Sequence, residues 1–429
     1  MHELTELIKN DMKPALGVTE PGAIAYATAS ARDYTEGTVR KVTVRLNSGM
    51  YKNAFTCGIP NSEEVGNVYA AALGVAGGDA SLGLLALANV NEEQKEQARL
   101  LVEEGRVSAV LDHIGSTITI DATVETEKDR CTVHIKGGHT DICKIEKNGE
   151  VIYEADQKAE ETQGQEAEAL IHRYTLHEIL DFVKTVPEEE ICFIKEAFEM
   201  NLQLLEEGLS SEKTVFGPWL LEKNHGERLT EDALSSAQLL CGGAIEARVI
   251  GLSRPAMSIT GSGAHGIIAT LPLLAYYHTV KEKRGLKQDM LLRAAALSYL
   301  ITMYIKEYSG RLSAFCGCGI AAGTGMACGL SLLDGGTEET IAMVIRNMAS
   351  GITGMICDGG NQGCVMKGIV ATDAAFRAAE MAGRGIAVDS CHGINGASAE
   401  ETMRYMGMIA SPGMTETEKT IVGIMQEKR

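Results

Sequence analysis

Residues 144–168 read KIEKNGEVIYEADQKAEETQGQEAE, and the change of pattern inside this stretch decides the fold. Its first half sets Asn148-Gly149 between two runs of strand-forming residues, the strongest short-range hairpin signal. Its second half, Asp156–Glu168, is acidic and lacks large apolar residues, so it reads as a linker or an exposed helix start. Upstream of it strands are frequent. KVTVRLNS at 41–48 alternates apolar and polar residues, and ITIDATVETEKDRCTVHIKG at 118–137 reads as a hairpin turning near Glu127–Arg130. Helices are expected between the strands at Glu63–Val75 and at Asn91–Glu104, the latter capped by Asn91. Downstream the strand signal stops. Leu176–Leu209 is helical with a break at Pro187, and from Asp232 onward Ala-, Gly-, Met- and Leu-rich helices alternate with short turns. Small residues at that density let helices pack closely. The expected architecture is α+β: an N-terminal mixed α/β domain with a small antiparallel sheet over 1–165, then an all-helical domain over 166–429.

Composition narrows the function. The chain has 429 residues, 45% hydrophobic and 23% charged, with a net charge of −19. That length favours two domains, and the apolar fraction excludes wholesale disorder. The acidic balance argues against nucleic acid and anionic membranes, whose phosphates attract Lys and Arg. No apolar run reaches membrane-spanning length, and the start, MHELTELIKNDMKP, carries charges where a secretory signal has its apolar segment. A cytoplasmic protein without nucleic-acid or membrane partners is expected.

Eleven cysteines make an odd and large count. In a reducing compartment they are buried small hydrophobes or ligands, not a disulfide framework. Cys57, Cys131, Cys143, Cys192 and Cys241 are scattered, whereas Cys316, Cys318, Cys328, Cys357, Cys364 and Cys391 crowd into the last third. The sharpest stretch is Cys357-Asp-Gly-Gly-Asn-Gln-Gly-Cys364, two thiols flanking a loop able to wrap backbone N–H groups around an anion or cluster sulfides. About forty residues upstream lies Cys316-Gly-Cys318. Thiolates hold iron–sulfur clusters, and three protein ligands leave one iron open. Close packing in a Gly/Ala-rich helical domain explains the same cysteines without a cluster. Zinc is the other metal to weigh, although the tight Cys pairs of structural zinc sites are missing.

Two further stretches bear on a site. Thr260-Gly-Ser-Gly-Ala-His-Gly-Ile267 reads as a loop feeding a helix N-terminus, which binds carboxylate or phosphate through backbone donors; a tight packing turn explains it as well. The Rossmann fingerprint does not fit. His265 is a candidate general base, or a structural imidazole. Near the start, Leu16-Gly-Val-Thr-Glu-Pro-Gly22 makes Thr19 a helix cap or a carboxylate clamp, and Asn61 with Ser62 forms a similar helix start.

Taken together, ALGVTEPGAIA, TGSGAHGI, FCGCGIAAGTG and MICDGGNQGCVMKG followed by TDAAFRAAEMA resemble the iron–sulfur L-serine dehydratases. The resemblance is closer to the single-chain L-cysteine desulfidases and their uncharacterised relatives, and it runs over nearly the whole chain. It implies a serine dehydratase beta-like first domain and an alpha-like second one. It also implies a lyase with a [4Fe–4S] cluster and no pyridoxal phosphate, eliminating the β-substituent of L-cysteine or L-serine to give pyruvate and ammonia. Cys357 and Cys364 match the downstream cluster ligands, and the upstream ligand matches Cys318, with Cys316 as the alternative. Thr260, Gly261, Ser262 and Gly263 match the substrate loop, with Thr19, Asn61 and Asn361 as further substrate contacts. The desulfidases carry a Cys proposed as base where this chain has Val18, and an Asn where it has Ala264; His265 is the replacement base. The partners expected are a small amino-acid substrate and, for the oligomeric state, a homodimer. The competing reading is a non-catalytic or regulatory small-molecule-binding protein that keeps the fold, with or without a cluster or zinc.

Overall fold

The computed structural model describes residues 1–155, 169–310 and 312–428. The acidic stretch 156–168, and the domain boundary expected within it, lie outside the described residues.

The architecture is α+β. Its strands are β1 (Lys13–Leu16), β2 (Val39–Asn47), β3 (Val107–His113), β4 (Ile118–Thr126), β5 (Arg130–Gly137), β6 (Ile142–Lys147), β7 (Glu150–Glu154) and β8 (Pro255–Ser258). Strands β2 to β7 form one six-stranded sheet in the order β3-β2-β4-β5-β6-β7. Both expected hairpins are present, β4–β5 and β6–β7, and the second turns through Asn148 (φ 52°) and Gly149 (φ 88°). Along β4, Ile118, Ile120, Ala122 and Val124 are buried on one face, the period-2 pattern of a half-covered strand. Helix Thr19–Asp33 covers that face with Ala23, Ile24, Ala27 and Ala31.

The sheet is mixed, not purely antiparallel as the sequence suggested. Strand β3 pairs parallel to β2. Between them the chain makes helices Ser48–Asn53, Gly66–Gly77 and Glu92–Glu103, the long crossover that a parallel pair requires. Asn91 caps the last of these through a reciprocal box with Gln94. The expected helix at Glu63 begins later, at Gly66, because Asn61 (φ 60°) and Gly66 (φ 90°) hold a turn there. Thr19 is likewise the first helical residue and not the cap, which is Val18.

After residue 169 helices dominate, including Leu176–Thr185, Lys195–Ser210, Ala233–Val249, Gly263–Arg284, Gln288–Ser309, Gly323–Leu333, Glu338–Ile352 and Gly363–Gly383. Gly325 shows why small residues are dense. A Cβ there would lie 2.2 Å from the Ser298 carbonyl oxygen of the neighbouring helix. The second half is nevertheless not all-helical, since β8 pairs antiparallel with β1. Four residues beginning with proline carry too little pattern to announce a strand.

Two large hydrophobic cores and a small third cluster (Ala314, Ile421, Met425) result among the described residues, and the chain ends cross between the large ones. Leu4 and Ile8 of helix Glu3–Asp11 join the helical core, while Val422 of helix Thr415–Glu427 joins the sheet core. All eleven cysteines are free thiols. Among the described residues no helix is long and apolar enough to cross a membrane.

Candidate functional site

The β1–β8 pairing is what assembles the site. It lays Lys13 beside Ser258 and so carries the segment after β1 up to the loop after β8. The Thr19 hydroxyl donates to the Gly261 carbonyl at 3.3 Å, and the Thr260 N–H donates to the Asp11 carboxylate. Thr260 (φ 50°) and Gly261 (φ 75°) both take left-handed backbone before helix Gly263–Arg284 begins, so the loop is shaped around its opening and not around a neighbour. At Gly261 a Cβ would meet nothing within 4 Å.

A second pairing brings the cysteine stretches together. The Cys357 N–H donates to the Ala314 carbonyl at 2.6 Å and the Cys316 N–H donates to the Met355 carbonyl at 3.1 Å, with a bridge between Phe315 and Ile356. Gly359 (φ 98°) and Gly360 then pass close over Lys52 and Val18, where a Cβ would fall 2.4 and 2.9 Å from their atoms. The Asn361 amide oxygen accepts from the Gly363 N–H at 2.7 Å, starting helix Gly363–Gly383 with Cys364 in its first turn. Cys318 opens a one-turn π-helix, Cys318–Ala322, a distortion common at functional sites.

These pieces surround one cavity of about 470 Å³, within the usual range for small-molecule pockets. Cys318, Cys357 and Cys364 line it together with Thr19, Thr260, Gly261, Ser262 and His265. Val18 and Ala264 line it too. Cys316 lies behind Cys318 at an Sγ–Sγ distance of 3.4 Å and is 1% exposed. Gly263 stands just behind the loop, against Arg248. Asn361 and Asn61 are not among the lining residues. Asn361 shapes the cysteine loop, while the Asn61 amide donates to the Val90 carbonyl at 2.8 Å, away from the cavity.

The electrostatics of the wall are uneven. The hydrogen bond from Cys316 lowers Cys318 to about 7, against burial and with help from Lys367 and Arg248; the same bond raises Cys316. Burial and the charge of Cys318 push Cys364 up to about 12. Burial would lower Lys367, yet its neighbours Cys364 and Cys316 and its pairing with Asp358 hold it raised. Burial lowers Lys306 to about 8, opposed by the neighbouring cysteines 357, 318 and 316. His265 is pushed well below its ordinary value by burial and by the Lys306 and Arg248 cations, so its ring is neutral. Its Nδ1 lies 2.6 Å from the Thr260 hydroxyl, and its Nε2 side faces Gly317, between the two upstream cysteines. Among the described residues no group of three or more His, Cys, Asp or Glu could hold a metal ion.

Sequence reasoning missed the buried charged residues of this cavity: Glu20, Arg248 and Lys306, with His139 beside Glu20. Each of the three is a buried charge on a helix whose other buried residues are mostly apolar or small. In Ala233–Val249, for instance, Glu246 accepts the N–H groups of Val215, Phe216 and Gly217, whereas Arg248 turns to the cavity.

Fold and cavity together define an α+β protein with a thiol-walled pocket of small-metabolite size. The chain belongs to the serine dehydratase alpha chain family, which it matches over residues 81–423. It is 41% identical over 428 residues to a UPF0597 protein of Clostridium botulinum (strain Langeland), covering 99% of this chain and 98% of that protein. A UPF0597 protein of Caldanaerobacter subterraneus is 37% identical over 427 residues, and one of Geobacter sulfurreducens is 34% identical over 429, with the same shares covered.

Proposed function

We propose that this chain is a lyase that removes the β-substituent of a small L-amino acid. L-serine would give pyruvate and ammonia; L-cysteine with water would give pyruvate, ammonia and sulfide. Cys318, Cys357 and Cys364 would hold a [4Fe–4S] cluster. The observation that carries the reading is convergence: four stretches far apart in the chain line one cavity, three of them glycine-rich and two of them bearing its thiols. The donor set fits the group. Thiolates are the ligands of iron–sulfur clusters, and the ammonium groups of buried Lys306 and half-buried Lys367 would offset the negative charge that three thiolates bring.

When bound, the cluster supplies a Lewis-acidic iron that stabilises the departing hydroxide or hydrosulfide. The rest falls to the chain. The loop Thr260–Gly263 and the N-terminus of its helix draw the substrate carboxylate inward. His265 is neutral, the protonation state a base needs, and the Thr260 hydroxyl fixes its orientation, so it takes the Cα proton.

The test is assay of pyruvate release from L-serine and L-cysteine by protein purified without oxygen and reconstituted with iron and sulfide. Turnover lost in Cys357→Ser together with iron supports the lyase. A fully loaded protein that turns over neither substrate overturns it and leaves the regulatory binding protein.

A further inference from the structure

The geometry points to a zwitterion slot in this cavity, with Arg248 taking the α-carboxylate and Glu20 the α-ammonium of the ligand. The assignment rests on the amino-acid reading above and names the side chains that would enforce it.

Arg248 is 5% exposed, and its Nε has no hydrogen-bond partner. A buried guanidinium N–H without an acceptor is costly, and a native protein keeps one where a ligand supplies the acceptor. The group lies over the first residue of helix Gly263–Arg284, since a Cβ on Gly263 would come within 2.8 Å of the Arg248 Nε. A cation and a helix N-terminus therefore converge on one spot, and the absence of a side chain at 263 is what lets them.

Glu20 is the opposite charge. It is 6% exposed and lines the same cavity. Its carboxylate accepts from the Asn53 amide at 2.8 Å and faces His139 at 3.9 Å. No ion pair joins Glu20 to Arg248 among the described residues, although the Arg248 cation helps hold the Glu20 carboxyl down. Two buried opposite charges that share a cavity without an ion pair between them, beside the buried cation Lys306, are complementary to a molecule carrying both signs. A simple carboxylate or a simple amine would leave one of them uncompensated.

The experiment uses L-alanine, which carries both charged groups and no leaving group, against propionate and L-alaninamide. Binding is measured by calorimetry on protein purified without oxygen. The expected result is that each truncated analogue binds about tenfold or more weakly than L-alanine. Arg248→Gln should erase the preference over L-alaninamide, Arg248→Lys should restore part of it, and Glu20→Gln should erase the preference over propionate. Wild-type protein that binds propionate as tightly as L-alanine overturns the slot without any variant. So does an Arg248→Gln protein that keeps its preference for L-alanine over L-alaninamide. The two readings fail separately. Selective L-alanine binding with no pyruvate from serine or cysteine removes the lyase and leaves the slot. Pyruvate release with unchanged KM in Arg248→Gln removes the slot and leaves the lyase.

Discussion

Replacing Lys52 with Met tests how the two ends of the chain hold the cysteine loop. Lys52 is 1% exposed, and its Nζ lies 2.6 Å from Glu418 Oε2 and 2.9 Å from the Ser313 carbonyl. Ser313 precedes Ala314, whose carbonyl accepts the Cys357 N–H, and Gly359 packs on the Lys52 carbonyl. One ammonium thus ties the C-terminal helix, the segment before Cys316 and the loop after Cys357. At 2.6 Å and an effective dielectric near 20, the gross attraction is about 6 kcal/mol. The net loss is smaller, because desolvation of both groups opposes it. Breaking a buried pair from one side typically costs about 3–5 kcal/mol. Lys52→Met should reach that range, since the other Glu418 oxygen is already buried without a partner. Urea unfolding followed by circular dichroism measures it, and a Lys52→Met/Glu418→Leu double variant should recover most of the loss. A single-variant cost below about 1 kcal/mol, or a double variant no better than the single, would refute the reasoning.

Further outcomes follow from the cavity. Burial would raise Glu20, but His139, Asn53 and Arg248 hold it down to about 2 from 4.5. A depressed carboxylate contributes stability fully above its unfolded value and loses it as pH falls toward the folded one. Unfolding free energy should therefore decline between pH 4.5 and about 2, by up to about 3 kcal/mol, and Glu20→Gln should flatten that limb; an unchanged limb contradicts it. His265→Gln should cut kcat about 10²- to 10⁴-fold while L-alanine binding changes little, and equal loss of both would make His265 a structural residue. Gly266→Ala would put a Cβ 1.9 Å from the Met257 carbonyl oxygen; with backbone on both sides, expression should yield little folded protein, and wild-type melting would contradict the packing.

Local pattern made the first half legible. Strands β4 to β7 were readable because period-2 alternation and an Asn-Gly turn are short-range signals. Strand β3 was not, since its burial is partial and its parallel pairing depends on a crossover spanning three helices. Strands β1 and β8 are four residues each, and only their contact, across some 240 residues of chain, makes them strands. The thiols and the glycine loops stood out because each is a compact local motif. Arg248, Glu20 and Lys306 did not, because a charge on a helix acquires meaning only when other helices bring theirs to the same space. Asn61 misled for the converse reason: its Asn-Ser spelling matches a helix start, yet its left-handed backbone serves a turn.

The content of iron and acid-labile sulfide in protein isolated under strict anoxia bears most directly on the central claim. About four of each per chain are predicted, falling together in Cys318→Ser, Cys357→Ser and Cys364→Ser. Iron-free protein, a single zinc per chain, or serine variants that retain their full iron would contradict it.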